Sequence, residues 1–238
     1  MSCLPMRASW LCEYADQPQA RILDLRSDAR RPPGQYTKQG YSLQFGTNVL
    51  GHQRLIKLLL PLLQKTSRAD PANPARLIVL SSAAHAVAPP GGVNYNSLRN
   101  GDSLLSRWSE YGESKWGDIA LAKYVDAHYG PASNNPDGEV VSIAVHPGLV
   151  RTNLWSHLSA NAAAPYVPWL VKMINVAPIK GALNQIWAGQ LPTARARELS
   201  GKYIVPYQTV VPHRPDLDDS DKCERLWAWC DEQAARAE

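Results

Sequence analysis

The chain has 238 residues, 45% hydrophobic and 19% charged, which suits one globular domain with a sizeable core. Its formal charge of +4 is not gathered into a basic stripe interleaved with aromatics, which argues against a nucleic-acid partner. The four cysteines form no CxxC pair, so neither a metal site nor a disulfide framework is expected, and a reduced, cytoplasmic compartment fits best.

Residues 1–19 show no clear periodicity, and Leu11 and Cys12 are not followed by the apolar run of a secretory signal. Arg21 to Arg26 reads as a short strand. The turn Pro32-Pro33-Gly34 leads to a helix over about 41–64, whose Leu43, Val49, Leu50, Leu55, Leu58, Leu59 and Leu62 give a broad buried face. Its longest apolar stretch, Leu55 to Leu63, is broken by Lys57 and Pro61 and is too short for a membrane span. A polar linker then precedes Arg76 to Ser82, a β-branched apolar run that reads as a buried parallel strand and ends in the hydroxyls Ser81 and Ser82. Residues 86–107 form a long insertion with Pro89-Pro90-Gly91-Gly92, expected to border a substrate mouth.

A helix running to about Tyr129 carries Tyr111 and Lys115 one turn apart on the same face. A free phenol, with a pKa near ~10, is a poor acid or base at neutral pH, but a fixed cation beside it favours the phenolate, and such a pair can exchange a proton with an alcohol or carbonyl. Val140 to Arg151 is a second strand, turning sharply at Pro147-Gly148. In open α/β sheets ligands sit beyond the carboxyl ends of the strands, which is where Ser81, Ser82, Pro147 and Gly148 fall. No Gly-x-Ser-x-Gly elbow surrounds these serines, so a hydrolase triad with His85 or His146 lacks its setting. Helices over 179–190 and 220–235, the latter with Ser220 as N-cap, and a last strand over 201–205 complete the chain.

The order Thr47-Asn48-Val49-Leu50-Gly51-His52, Val79-Leu80-Ser81-Ser82-Ala83-Ala84-His85, Tyr111 with Lys115, and His146-Pro147-Gly148-Leu149-Val150-Arg151-Thr152 resembles the short-chain dehydrogenases/reductases. The retinol-dehydrogenase-like and fungal branch is the most similar, from about Pro32 to the C-terminus. The resemblance implies an α/β fold, a Rossmann-like doubly wound parallel sheet of about four strands with flanking helices. It divides the one domain into an unmatched segment (1–31), a catalytic half (32–205) and a C-terminal tail and helix (206–238). By the same resemblance Tyr111 is the proton donor or acceptor, and Lys115 lowers its pKa and binds the nicotinamide ribose. Ser82 holds the substrate oxygen, Asn48 supports a proton relay through a helix kink and a water, and Pro147, Gly148, Val150 and Thr152 line the nicotinamide. Residues 153–176, with Trp155, Tyr166, Pro168 and Trp169, correspond to the family's variable substrate lid.

The implied activity interconverts a carbonyl and an alcohol on a hydrophobic small molecule with NADP or NAD. The sequence departs from the pattern at one place: no glycine precedes Gly34, so the glycine-rich pyrophosphate turn is missing and the domain is expected to be N-terminally truncated. Two other readings follow. One is a non-catalytic relic forming homo- or hetero-oligomers through an open sheet edge at Ile22 to Leu25. The other is an epimerase or dehydratase sharing the Tyr-x-x-x-Lys pair.

Overall fold

The computed structural model describes residues 21–25, 35–99, 107–148 and 178–236. Val150, Thr152 and the expected lid over 153–176 lie outside them. Five strands form one sheet in chain order: β1 (Ile22–Leu25), β2 (Ala75–Leu80), β3 (Val140–Val145), β4 (Tyr203–Val205) and β5 (Thr209–Val210). The first four are parallel and β5 returns antiparallel. Parallel neighbours need long crossovers, and the chain supplies helices for them.

The first crossover is α1, which runs from Leu43–Phe45 through a one-turn π segment, Gly46–Leu50, into Gly51–Ala69. The second holds α2 (Arg107–Tyr129), and the described part of the third holds α3 (Pro178–Gln190) and α4 (Thr193–Glu198). The chain closes with α5 (Ser220–Ala235). Side chains alternate across a strand, so β2 and β3 feed two cores. Leu77, Val79, Val140 and Ala144 pack with α1, α2 and α5, whereas Ile78, Val141, Ile143 and Val145 pack with Ala188, Leu191, Ala196 and Leu199 of the α3–α4 side. Both faces are therefore covered, as the continuous apolar runs of β2 and β3 require.

Arg76 is the polar exception inside the sheet. Its guanidinium lies against the C-terminal end of α3 and donates to the carbonyls of Gly189, at 2.7 Å, and Leu191, so that a buried cation satisfies acceptors the helix leaves open. Burial lowers its pKa from the usual guanidinium value.

Three expectations need correction. Among the described residues the sheet has five strands where about four were expected, because β4 turns back through Pro206, Tyr207 and Gln208, the last two with φ of 65° and 62°. The helix starting near 41 continues to Ala69, past the expected end at 64, with Thr66 and Ser67 hydroxyls bonding the carbonyls of Leu62 and Leu63 in its last turn. The terminal helix is capped one residue earlier than expected, by Asp219, whose carboxylate accepts from the Asp221 N–H at 3.1 Å.

Candidate functional site

The carboxyl ends of β2 and β3 lie side by side, with Leu80 opposite Val145, and the Ser81 N–H extends their ladder to the Val145 carbonyl at 2.8 Å. Ser82 follows in extended conformation and its Oγ accepts from the Ala84 N–H at 3.2 Å, capping a 3-10 turn over Ala83–Val87. His85 in that turn places Nδ1 2.8 Å from the Ser82 carbonyl. A carbonyl only accepts, so Nδ1 carries the proton there. Burial lowers the His85 pKa, which keeps the ring neutral near pH 7. The histidine thus holds the serine turn in place.

α2 closes on this turn because one position has no side chain. A Cβ on Gly112 would lie 2.6 Å from the Ala84 carbonyl oxygen and 2.9 Å from the Ala88 nitrogen. Glycine next to Tyr111 therefore lets the tyrosine turn of the helix touch the serine turn. Ser109 Oγ donates to the Val87 carbonyl at 3.3 Å and Ser81 Oγ to the Lys115 carbonyl at 2.7 Å. Ser81 is thus a fastening between strand and helix, while Ser82 stands at the strand end beside the tyrosine helix. Tyr203 of β4 borders the same place: its ring meets that of His85 edge-on at 4.9 Å, and burial together with Tyr111 raises its pKa.

Tyr111 and Lys115 are both buried, and the lysine Nζ lies 5.7 Å from the centre of the tyrosine ring. The cation expected beside the phenol is one half of an ion pair. Lys115 Nζ donates to the Leu80 carbonyl at 2.9 Å and to Asp118 Oδ2 at 2.9 Å, and the other oxygen, Asp118 Oδ1, lies 3.2 Å from His52 Nδ1 of α1. From Glu110 to Ala122 every residue of α2 is buried, charged ones included.

Asn48 sits inside the π segment, fully buried. Its Nδ2 donates to Ser114 Oγ at 2.9 Å, and Ser114 Oγ donates to the Tyr111 carbonyl at 2.8 Å. Its Oδ1 has no hydrogen-bond partner in the structure, the situation in which a bound water or ligand group is expected. α1 reaches this close because Gly117 has no Cβ, which would fall 2.7 Å from Val49. Beyond β3, Gly148 takes a φ of 83°, and a Cβ there would stand 2.9 Å from Pro206. Asn184 of α3 donates to the His146 carbonyl just before this turn at 2.9 Å. His146 directly follows the last residue of β3. Trp108, at the start of α2, is 42% exposed.

Asn48, Ser82, Tyr111, Lys115, Pro147 and Gly148 are consequently gathered at the carboxyl edge of the sheet or on the helices bordering it. Sequence reading missed Asp118, His52 and Tyr203. Asp118 alone left a signal, because three residues after Lys115 it must share that residue's helix face.

A short-chain dehydrogenase/reductase of Armillaria gallica is 34% identical over 207 residues, an alignment covering 85% of this chain and 60% of that protein. The chain is a homologue of the short-chain dehydrogenases/reductases. An uncharacterised oxidoreductase of Schizosaccharomyces pombe is 30% identical over 86% of the chain and 59% of its own length, and human retinol dehydrogenase 14 is 28% identical over 79% and 51%. The chain thus spans about 60% of the length of the fungal relatives it matches. No family model matches. Among solved structures, an uncharacterised protein of Mycobacterium paratuberculosis superposes with a TM-score of 0.63 at 23% identity, over 95% of this chain and 72% of that one, and shows the shared fold. Among the described residues no cluster of ligating side chains could hold a metal ion, and no helix is long and apolar enough to cross a membrane.

Proposed function

We propose that this short-chain dehydrogenase/reductase homologue is an oxidoreductase interconverting a carbonyl and an alcohol on a hydrophobic small molecule with NADP or NAD. The observation that carries the reading is the packing of the Tyr111 turn of α2 onto the Ser82 turn after β2, a contact that Gly112 permits. Tyr111 is the proton donor or acceptor, Ser82 Oγ bonds the substrate oxygen, and Lys115 holds its charge beside the phenol from the Leu80 carbonyl. Asn48, whose buried Oδ1 lacks a partner and whose amide is held by Ser114 on the backbone carbonyl of Tyr111, supports the proton path through a water at that oxygen. The aromatic residues of 153–176 favour an apolar substrate.

A nicotinamide cofactor supplies or accepts the hydride when bound. The residues fit its reactive end: Tyr111 and Lys115 would hold the ribose, and Pro147 and Gly148, with Val150 and Thr152, would hold the ring. The positive φ at Gly148 turns the backbone sharply at the carboxyl end of β3, where the ring would lie. In this sequence no glycine precedes Gly34, so none of the residues before it forms a glycine-rich turn for the pyrophosphate.

The test is a fluorescence titration of the purified chain with NADPH and NADH, followed by turnover of apolar aldehydes and ketones. Saturable binding of one nucleotide and turnover lost by at least about 100-fold in Tyr111→Phe are expected, in line with the usual worth of a positioned general acid. No saturable binding of either nucleotide overturns the reading for this chain.

A further inference from the structure

A buried chain from Lys115 through Asp118 to His52 joins α2 to α1, and neither Asp118 nor His52 has a part in the reading above. Lys115, Asp118 and His52 are 1%, 0% and 7% exposed, so water screens the carboxylate little. Asp118 presents one oxygen to each neighbour: Oδ2 to the lysine ammonium at 2.9 Å and Oδ1 to the imidazole at 3.2 Å. A single aspartate rotamer meets both contacts, and the histidine comes from another element, so the carboxylate is fixed from two sides.

We infer that Asp118, clamped by His52, is a positioning residue that keeps Tyr111 protonated to higher pH by offsetting the charge of Lys115. The inference rests on Tyr111 and Lys115 forming the proposed proton-transfer pair. An ammonium alone would stabilise the phenolate and lower the pH at which the phenol ionises. A carboxylate in contact with that ammonium opposes this pull while leaving the amine in place to hydrogen-bond. The result is a phenol kept as an acid, suited to giving a proton to a carbonyl oxygen at neutral pH.

The other groups around the phenol act in the same sense or are uncharged. Tyr203 of β4 is coupled to Tyr111 and is kept neutral by burial, and His85 of the serine turn is pushed toward its neutral form by burial. On α2 itself Glu110 and Glu113 flank Tyr111, and Glu113 has its pKa pushed up to about 8 by burial, so it is largely protonated at neutral pH. Asp118 is the carboxylate in contact with the Lys115 ammonium, and its other oxygen faces His52 of α1.

The test reads the phenol directly and needs no turnover. Tyrosinate absorbance at 295 nm is followed against pH for the full chain and for Asp118→Asn, each corrected by subtracting the matching Tyr111→Phe protein. The amide keeps an oxygen to accept from Lys115 without the charge. The Tyr111 midpoint is expected to fall by on the order of one pH unit in Asp118→Asn, the usual effect of one charge at such range. Circular dichroism establishes that the variant is folded, and Asp118→Ser replaces it if the amide is not tolerated. A midpoint unchanged or raised in the folded variant overturns the inference. Failure of the full chain to bind nicotinamide nucleotide would sink the proposed activity instead, and the titration would still decide this point.

Discussion

At the residue scale, the carboxylate of Glu113 makes the fold itself sensitive to pH. It is buried on α2, its Oε1 accepts from the Asn94 N–H at 2.6 Å, and burial, with Glu110 adding to it, pushes its pKa from an ordinary 4.5 up to about 8. The native state then holds this proton over a range in which the unfolded chain has already released it. The contribution to stability is complete below about pH 4.5 and is lost as pH rises through about 8. Urea unfolding of the full chain should show stability falling across that window, by on the order of 4 kcal/mol at the limit, before other groups are counted. Glu113→Gln keeps an acceptor for Asn94 and removes the titrating proton, so the part of the slope due to Glu113 should disappear over the same range. An unchanged slope would remove Glu113 from the account. Sequence could name Tyr111, Lys115, Ser82 and Asn48, because their residue types stand in an order that carries meaning. It could not show that Lys115 is paired, since the pairing depends on Asp118 being buried and on His52 arriving from a different helix.

At the scale of elements, the strands were legible where their apolar runs are continuous and buried on both faces, as in β2 and β3, and the helices where their length exceeded two turns. What escaped has a physical reason in each case. The hairpin from β4 to β5 turns through Tyr207 and Gln208 in the left-handed region, where a reader looks for glycine or asparagine. The π segment around Asn48 is a matter of backbone hydrogen-bond register, which side-chain identity does not reveal. Gly112 and Gly117 look like weak points in a helix. Both are instead places where α2 is approached, by the serine turn and by Val49 respectively. Gly112→Ala should therefore do more than destabilise. The new methyl would meet backbone atoms of residues 84 and 88, and the helix or the serine turn must shift to relieve it. Overpacking of this kind costs roughly 1–3 kcal/mol. A displacement near 1 Å between Tyr111 and Ser82 is enough for about a 100-fold loss of kcat. The expectation is a fall in kcat well beyond any change in nucleotide affinity, and a variant with normal kcat would show that the contact does not set the site.

At the scale of the whole molecule, the site helix is held from behind by the C-terminal segment. Leu226, Trp227, Cys223 and Cys230 of α5 are buried in the same core as Val49, Trp116 and Ile119. The Trp227 ring stacks on Tyr124 of α2 at 4.2 Å with an interplanar angle of 8°. Polar ties cross the same seam: Trp116 Nε1 donates to Asp216 at 3.0 Å, Gln53 Nε2 to Asp231 at 2.7 Å and Tyr41 Oη to Gln233 at 2.9 Å. α5 therefore touches both helices that carry the candidate site, α1 with Asn48 and His52, and α2 with Tyr111 and Lys115. Two measurements follow. Burial raises the Cys223 pKa to about 11 and that of Cys230 further still, so neither should react with a thiol reagent at pH 8 until the chain unfolds. Leu226→Ala, at a position with no solvent exposure, should cost about 2–5 kcal/mol in urea unfolding through lost apolar contact and the cavity left behind. In that variant both thiols should become reactive at the denaturant concentration at which nucleotide binding is lost, because detaching α5 uncovers the backs of α1 and α2 together. Thiol exposure at lower denaturant, with binding intact, would mean that α5 opens as a separate unit and that the site helices hold their positions without it.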